Sequence, residues 1–408
     1  MNPLHLSGYG VKLRVCDLRT RSELEIIDGK QDLRPYKTTQ YRPRRFPYDS
    51  VVIDSHSGYV SLQALHWLSR NKVPVFIMNY DGSLISSILP PAPIKADLRA
   101  AQLKAAENPR MKFKIARALI EAKIARSIQV LEWLAERYDV SREVMLVKRE
   151  AMDLRRARTV AAIRSVEGRV ALKYWSAYGK ALPESLDFQG RMTSSHQNNA
   201  SDPVNAALNY GYGFLEGECR RAINAVGLEP SVGFLHEFSD YQTKQSLVYD
   251  LEEPFRWLID VTAIEAFGSG KLNVSDFYFT GDDYRYRFDI EAKGKFIGLL
   301  RQQFNLGVAY KGRVLKWDTI IEQKTNELGR FLTGGSHSLE LEEPTPIFES
   351  QEVEKELRSR ILKLTLTGAR ELGIGKSTFH YLRNRTRGTK ALRIHKMTKV
   401  KLGMSRSS

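Results

Sequence analysis

The spacing of apolar residues changes character twice along the chain, and each change predicts a different kind of element. Over residues 1–92 the apolar runs are short. Val11, Leu13 and Val15 alternate with polar neighbours, as do Leu24 and Ile26, which predicts half-buried strands. Val51 to Ile53 and Val73 to Met78 are continuous apolar runs of buried-strand length, and a helix from Ser61 to Ser69 fits between them. Asp81-Gly82 is a hairpin signal leading into a strand from Leu84 to Ile88. The basic, proline-containing stretch from Arg34 to Arg45 reads as an exposed loop.

Pro90-Pro-Ala-Pro93 punctuates the chain, and from about Ile94 to Thr333 the period becomes helical. Phe113, Ala116, Ile120, Ile124, Ile128 and Leu131 recur at three- and four-residue steps. A second long helix is predicted from Ser141, read as its N-cap, to Tyr178. Its exposed face would carry Lys148, Arg149, Arg155, Arg156, Arg158 and Arg164. Asp202-Pro203 predicts a capped helix start, and the helix should run to Val226 and stop at Gly227. Phe277 to Phe288 reads as a hairpin or loop, followed by closing helices over Lys295–Asn305 and Trp317–Phe331.

Gly334-Gly335 and the acidic, proline-containing run to Pro346 read as part of a linker over 334–352. Val353 to Leu366 reads as one helix. After it, Ala369, then Gly373 four residues on, then Phe379 and Leu382 at helical spacing give the pattern of a helix-turn-helix. Phe379 and Leu382 would face inward. Lys376, Ser377, Thr378, His380, Tyr381, Arg383 and Arg387 would face DNA. Gly375-Lys376-Ser377 is not a phosphate-binding P-loop, because the earlier glycine that motif needs is Arg370 here. The expected fold class is therefore α+β and multidomain: a β-rich unit over 1–92, a large all-α unit over 93–333, and a helix-turn-helix unit over 353–408.

Charge sharpens the last assignment. The chain has 63 Lys+Arg against 47 Asp+Glu, a net charge of +16. Residues 356–408 hold 14 Lys/Arg and 2 Asp/Glu, so three quarters of the excess lies there. That is the footprint of a polyanion-binding module, although a solubilising basic tail has the same composition. Cys16 and Cys219 are far apart and lack partners at metal spacing, so a disulfide framework is not expected and a reducing, cytoplasmic compartment is. No stretch resembles a signal peptide or a spanning helix, and no membrane partner is expected.

Candidate chemistry concentrates between residues 233 and 260. His236 ends a short apolar run, and Asp250 and Glu253 follow three residues apart, where a helix should begin. One imidazole with carboxylates can hold a divalent metal. The same Asp250/Glu253 spacing also fits a capping box with Pro254 in the first turn, which needs no metal. Glu167 adds a further carboxylate. It stands beside Gly168, which costs roughly 1 kcal/mol relative to alanine inside a helix and so suggests close approach of a backbone or ligand.

Five motifs then occur in order: Glu167-Gly168; Asp202-Pro-Val-Asn205-Ala with Tyr210-Gly-Tyr212; Gly227-Leu-Glu-Pro230; Gly233-Phe-Leu-His236; and Tyr249-Asp250-Leu-Glu-Glu253-Pro-Phe-Arg256. The series resembles the integrase/endonuclease family of CRISPR adaptation over roughly residues 1–330. The resemblance implies metal ligands at Glu167, His236 and Glu253, with Asp250 as a neighbouring acidic member of the catalytic site and Glu252 without a role. With the added C-terminal unit, the chain resembles the casposases, the integrases of self-mobilising casposons. That implies Mn²⁺ or Mg²⁺ as cofactor and double-stranded DNA, both element ends and target, as partner. It also implies dimerisation through the β-rich unit and a higher oligomer on DNA. The reaction implied is direct transesterification of free 3′-hydroxyl ends into a target duplex, leaving a target-site duplication. Two other readings stay open at this point: a spacer-inserting integrase at a repeat array, and a non-catalytic DNA-binding regulator.

Overall fold

The computed structural model describes residues 2–18, 21–29, 37–79, 81–93, 95–191, 200–236, 245–281, 285–341 and 358–386. The first part is built from β1 (Pro3–Ser7), β2 (Val11–Leu18), β3 (Arg21–Ile27), β4 (Thr38–Tyr41), β5 (Ser50–Asp54), β6 (Gly58–Val60), α1 (Leu62–Arg70), β7 (Val75–Met78) and β8 (Leu84–Ile88). They form two four-stranded sheets, in the orders β1-β5-β7-β8 and β4-β3-β2-β6. Strand β4 lies within the stretch expected to be a loop. Its alternating exposed and half-buried residues pair antiparallel with β3, so that segment closes a sheet edge.

Strands β1, β5 and β7 are parallel, and α1 lies in the crossover before β7. Ser61 caps α1 by accepting from Ala64 N. The buried runs are continuous because this sheet packs on both faces. Val51, Ile53 and Val75 join a small core with Leu13, Leu24 and Trp67. Val52, Phe76 and Met78 point the other way, into the main helical core. The period-2 geometry of a strand thus serves two cores from one run.

The helical part comprises α2 (Ala96–Glu107), α3 (Pro109–Ala135), α4 (Ser141–Met152), α5 (Val160–Lys180), α6 (Pro203–Val226), α7 (Ser246–Glu252), α8 (Trp257–Gly268), α9 (Ile290–Phe304) and α10 (Trp317–Leu332). Two short hairpins interrupt it, β9 (Phe277–Thr280) with β10 (Arg285–Phe288) and β11 (Val308–Tyr310) with β12 (Arg313–Leu315), the second unforeseen. The single helix expected from Ser141 to Tyr178 is two. A 3₁₀ turn follows α4, and Thr159 then caps α5 by accepting from Ala162 N, while Ser141 is a helical residue rather than a cap. The break folds α4 back along α5. Arg169 Nε bonds Glu150 Oε2 at 2.6 Å and Lys180 Nζ bonds Glu143 Oε1 at 2.7 Å.

Helix α6 is buried along most of its length, and its ends form as the sequence predicts. Asp202 accepts from Asn205 N, and Gly227 closes the helix at φ 89°. Its glycines let it pass between the sheet and α8. A Cβ on Gly213 would lie 1.9 Å from Gly82 O, and one on Gly211 would lie 2.2 Å from Ile259 Cγ2. Gly213→Ala should therefore destabilise the protein by about 1–3 kcal/mol or more through overpacking. A lower denaturant midpoint checks this, and a midpoint within error of the parent would show that the helix can shift at little cost.

At the C-terminal end, the described part of helix α11 covers residues 358–363 and stops before Leu364, so Leu366 opens the next helix rather than closing this one. Residues 353–357 lie outside the described residues. Thr365 caps α12 (Leu366–Glu371), and a turn with Gly373 at φ 66° leads to α13 (Lys376–Thr386). Ile361, Ala369, Ile374, Phe379 and Leu382 form a small separate core. Among the described residues no helix is long and apolar enough to cross a membrane.

Candidate active site

Four segments distant in sequence bring the proposed site residues together. Helix α5 carries Glu167. The short stretch after Gly227 carries His236. Helix α7 carries Asp250, and the 3₁₀ turn Glu253–Phe255 that follows it carries Glu253. Pro254 has no N–H to continue the α-helical ladder, so the chain tightens at Glu253 before α8 begins. The helix expected to begin at Asp250 in fact starts at Ser246, and no capping box forms there. Helix α3 completes the set with Lys123.

Asp250 is fully buried and is satisfied by the loop it faces. Oδ2 accepts from Phe234 N at 2.5 Å and Leu235 N at 3.0 Å, while Oδ1 accepts from His236 N at 2.9 Å. Gly233 makes this possible, since a Cβ there would meet Asp250 Oδ2 at 2.9 Å and Ser246 Cβ at 2.7 Å. Oδ1 also lies 2.8 Å from His236 Nδ1. A carboxylate only accepts, so Nδ1 carries the proton and Nε2 of the neutral ring keeps its lone pair. Nε2 stands 3.9 Å from Glu253 Oε1. From α5, Arg164 Nε donates to Leu235 O at 3.0 Å, so this arginine is half-buried and braces the histidine loop instead of lying on an exposed face.

The two glutamates meet at one ammonium. Lys123 Nζ contacts Glu167 Oε1 and lies 2.7 Å from Glu253 Oε2. The second contact is ionic rather than directed, because Glu253 Oε2 is buried and makes no hydrogen bond of good geometry. Arg256 reaches Glu253 Oε1 at 3.6 Å and packs over the Tyr212 ring at 4.5 Å. Burial alone would raise the Glu253 carboxyl, but Lys123 and then Arg256 outweigh it and hold it down to about 2. Glu252 behaves oppositely: burial pushes it well above the usual carboxylate range, and its Oε1 has no hydrogen-bond partner. Its other oxygen lies 3.6 Å from Arg256 Nη2.

The Glu253 shift predicts a pH dependence. Its folded value lies below the unfolded value of about 4.3. Its contribution is therefore present above pH 4.5 and lost as pH falls toward 2, on the order of 3 kcal/mol. Chemical denaturation from pH 6 to 3 should show a shallower loss for Glu253→Gln than for the parent. Identical slopes would mean the carboxyl is not held down.

Further back, Asp260 ties α8 to the helix that bears Glu167. It accepts from Tyr174 OH at 2.7 Å and Tyr212 OH at 2.5 Å, and its backbone carbonyl accepts from Tyr178 OH at 2.7 Å. A Cβ on Gly168 would meet nothing within 4 Å, so the expected close backbone approach does not occur. The flank of Glu167 there is open instead.

Lys123, Arg256 and Asp260 were missed by sequence reasoning. Lys123 did leave a signal. It lies three residues after Ile120 and seven after Ala116, on the apolar stripe of α3, where a charge implies a buried partner. Two carboxylates and an imidazole are a donor set suited to a divalent cation, and the shared ammonium, 2.7 Å from the buried Glu253 Oε2, shows that the spot accommodates positive charge. Among the described residues, no three His, Cys, Asp or Glu side chains are already gathered around one metal position.

Of the residues assigned to DNA, Lys376, Ser377, Thr378, His380 and Tyr381 are exposed on α13. Arg383 is half-buried, with its guanidinium 5.7 Å from the Phe379 ring centre. Arg387 lies outside the described residues.

Comparison with known proteins places this chain in a family. The family model described as CRISPR associated protein Cas1 matches residues 35–302. A CRISPR-associated endonuclease Cas1 of Methanospirillum hungatei is 30% identical over 343 residues, covering 82% of this chain and 97% of that protein. Another, from Archaeoglobus fulgidus, is 27% identical and covers 67% of this chain and 84% of its own length. Among solved structures, a casposase bound to integration product superposes with a TM-score of 0.80 at 32% identity, covering 89% of this chain and 99% of that one. A Cas1 protein from Thermotoga maritima shares the fold at a TM-score of 0.66 and 16% identity, covering 85% of this chain and 100% of that one. The mixed α/β architecture and the extent of these matches agree, and the chain belongs to the Cas1 family of integrases and endonucleases.

Proposed function

We propose that this protein is a casposase: a divalent-metal-dependent integrase that joins free 3′-hydroxyl DNA ends to a target duplex by direct transesterification. The observation that carries the reading is that Lys123 Nζ joins Glu167 to one oxygen of Glu253 while His236 Nε2 stands 3.9 Å from the other. The likeness to a casposase over 89% of this chain supports it. Glu167 and Glu253 would supply anionic oxygens to Mn²⁺ or Mg²⁺, and His236 Nε2 a nitrogen donor that tilts preference toward Mn²⁺. Such an ion supplies Lewis-acid stabilisation of the attacked phosphate and activation of the attacking oxygen. Asp250 positions His236 by fixing its tautomer and its loop. Arg256 adds to Lys123 in favouring the ionised form of Glu253. The exposed residues of α13 and Arg387 would bind DNA as the recognition half of a helix-turn-helix, with the β-rich unit as the dimer contact. Two joined ends require two active sites, so a dimer, larger on DNA, is part of the proposal.

A second reading, spacer insertion at a repeat array, draws support from the curated relatives, which are named as CRISPR-associated endonucleases. One experiment separates the two. Incubate the protein and Mn²⁺ with a 3′-hydroxyl oligonucleotide bearing a candidate terminal repeat, and with supercoiled plasmids that carry or lack a repeat array. Sequenced junctions should show staggered joins flanked by a target duplication on either plasmid. Joining confined to the array plasmid, and independent of the terminal repeat, would favour the second reading. No joining on either would sink both.

A further inference from the structure

Lys123 is the side chain at the site that the proposed chemistry does not use. It reaches from α3 to two carboxylates on two other segments, and its ammonium touches one oxygen of each. All three groups are substantially withdrawn from water, with side-chain exposures of 20% for Lys123, 25% for Glu167 and 6% for Glu253. Two carboxylates brought to one point repel unless a cation lies between them, and withdrawal from water strengthens both the repulsion and its relief. Arg256 approaches only the other oxygen of Glu253, at 3.6 Å. It does not bridge to Glu167.

We propose that Lys123 is the resident counter-ion of this site: it holds Glu167 and Glu253 within reach of one cation and competes with a divalent ion for their oxygens. This rests on the metal-binding reading above. The same ammonium thus has two opposed effects. It pre-assembles the two glutamates, which come from segments more than eighty residues apart in sequence. It must also give way before a divalent ion can take them, so the site loads only where that ion is abundant enough to displace a buried charge.

The test is metal binding rather than turnover. Mn²⁺ is titrated calorimetrically into chelator-treated, full-length parent, Lys123→Met and Lys123→Gln proteins, with Glu253→Ala identifying the heat that belongs to this site. Lys123→Met should bind Mn²⁺ roughly tenfold more tightly than the parent, the size of an ordinary coupling between contacting residues. Without Mn²⁺ its melting temperature should fall, and a second substitution, Glu167→Gln, should recover the loss by removing the repulsion. Where Lys123→Met does not fold, Lys123→Gln carries the same comparison. Parent and lysine variants binding Mn²⁺ equally would overturn the competition while leaving the metal reading intact. If none of the proteins takes up Mn²⁺ at this site, the metal reading itself is lost, and the competition with it.

Discussion

Alanine at Glu167, His236 or Glu253 should abolish strand joining while leaving DNA binding in place. Glu253 is the common neighbour, linked to Glu167 of α5 through Lys123 and 3.9 Å from His236 Nε2 of the loop before residue 237, so under the proposed function each would supply a donor that the other two cannot replace. Their loss should exceed the roughly 10–100-fold typical of residues that only orient a metal ligand. Asp250→Asn belongs in that smaller class. It keeps the shape but weakens acceptance of three backbone N–H groups and loses control of the His236 tautomer. DNA binding should persist in all four, because phosphate affinity comes from basic surface, and none of these substitutions removes a lysine or arginine. Joining assays with Mn²⁺ and with Mg²⁺, run beside gel-shift binding, read both properties. Full joining by His236→Ala with either ion would remove the site assignment.

Truncation after Lys355 should cause the largest change in DNA binding. The segment removed carries 14 Lys/Arg against 2 Asp/Glu. Its described part folds around its own core of Ile361, Ala369, Ile374, Phe379 and Leu382, separate from the main core. The remaining protein should therefore keep its fold and melting behaviour. Every phosphate that the shortened protein no longer neutralises reduces the slope of log affinity against log salt by about 0.9. A module that neutralises several phosphates should accordingly flatten that slope by several units. Substituting Lys376 and His380 on the exposed face of α13 should reproduce part of the effect. An unchanged salt slope in the truncated protein would place the main DNA-binding surface elsewhere, with the exposed arginines following α4 the next to test.

Some features of this protein were local, and the sequence determined them. The capped start of α6 at Asp202-Pro203 and its stop at Gly227 depend on residues within one helical turn, and they form as read. The same holds for the Asp81-Gly82 turn and for the inward packing of Phe379 and Leu382. Ordered motifs were equally legible, because a series of short constraints survives without knowledge of how the segments meet.

What failed was each inference that needed a neighbour from elsewhere in the chain. A continuous helical period from Ser141 to Tyr178 could not reveal the fold-back, because the ion pairs that favour it join residues nineteen and more positions apart. The Asp250/Glu253 spacing matched a capping box, yet the N–H groups that Asp250 satisfies belong to residues 234–236. Gly168 faces open space, whereas Gly211, Gly213 and Gly233 are among the glycines that do admit close approach. Lys123 went unnoticed in the sequence, and only the packing of α3 against α5 and the turn at Glu253 made it the bridge between the two glutamates. Propensity, capping and periodicity act within a few residues. A buried charge takes its meaning from whatever shares its low-dielectric surroundings, and the tertiary fold alone decides that.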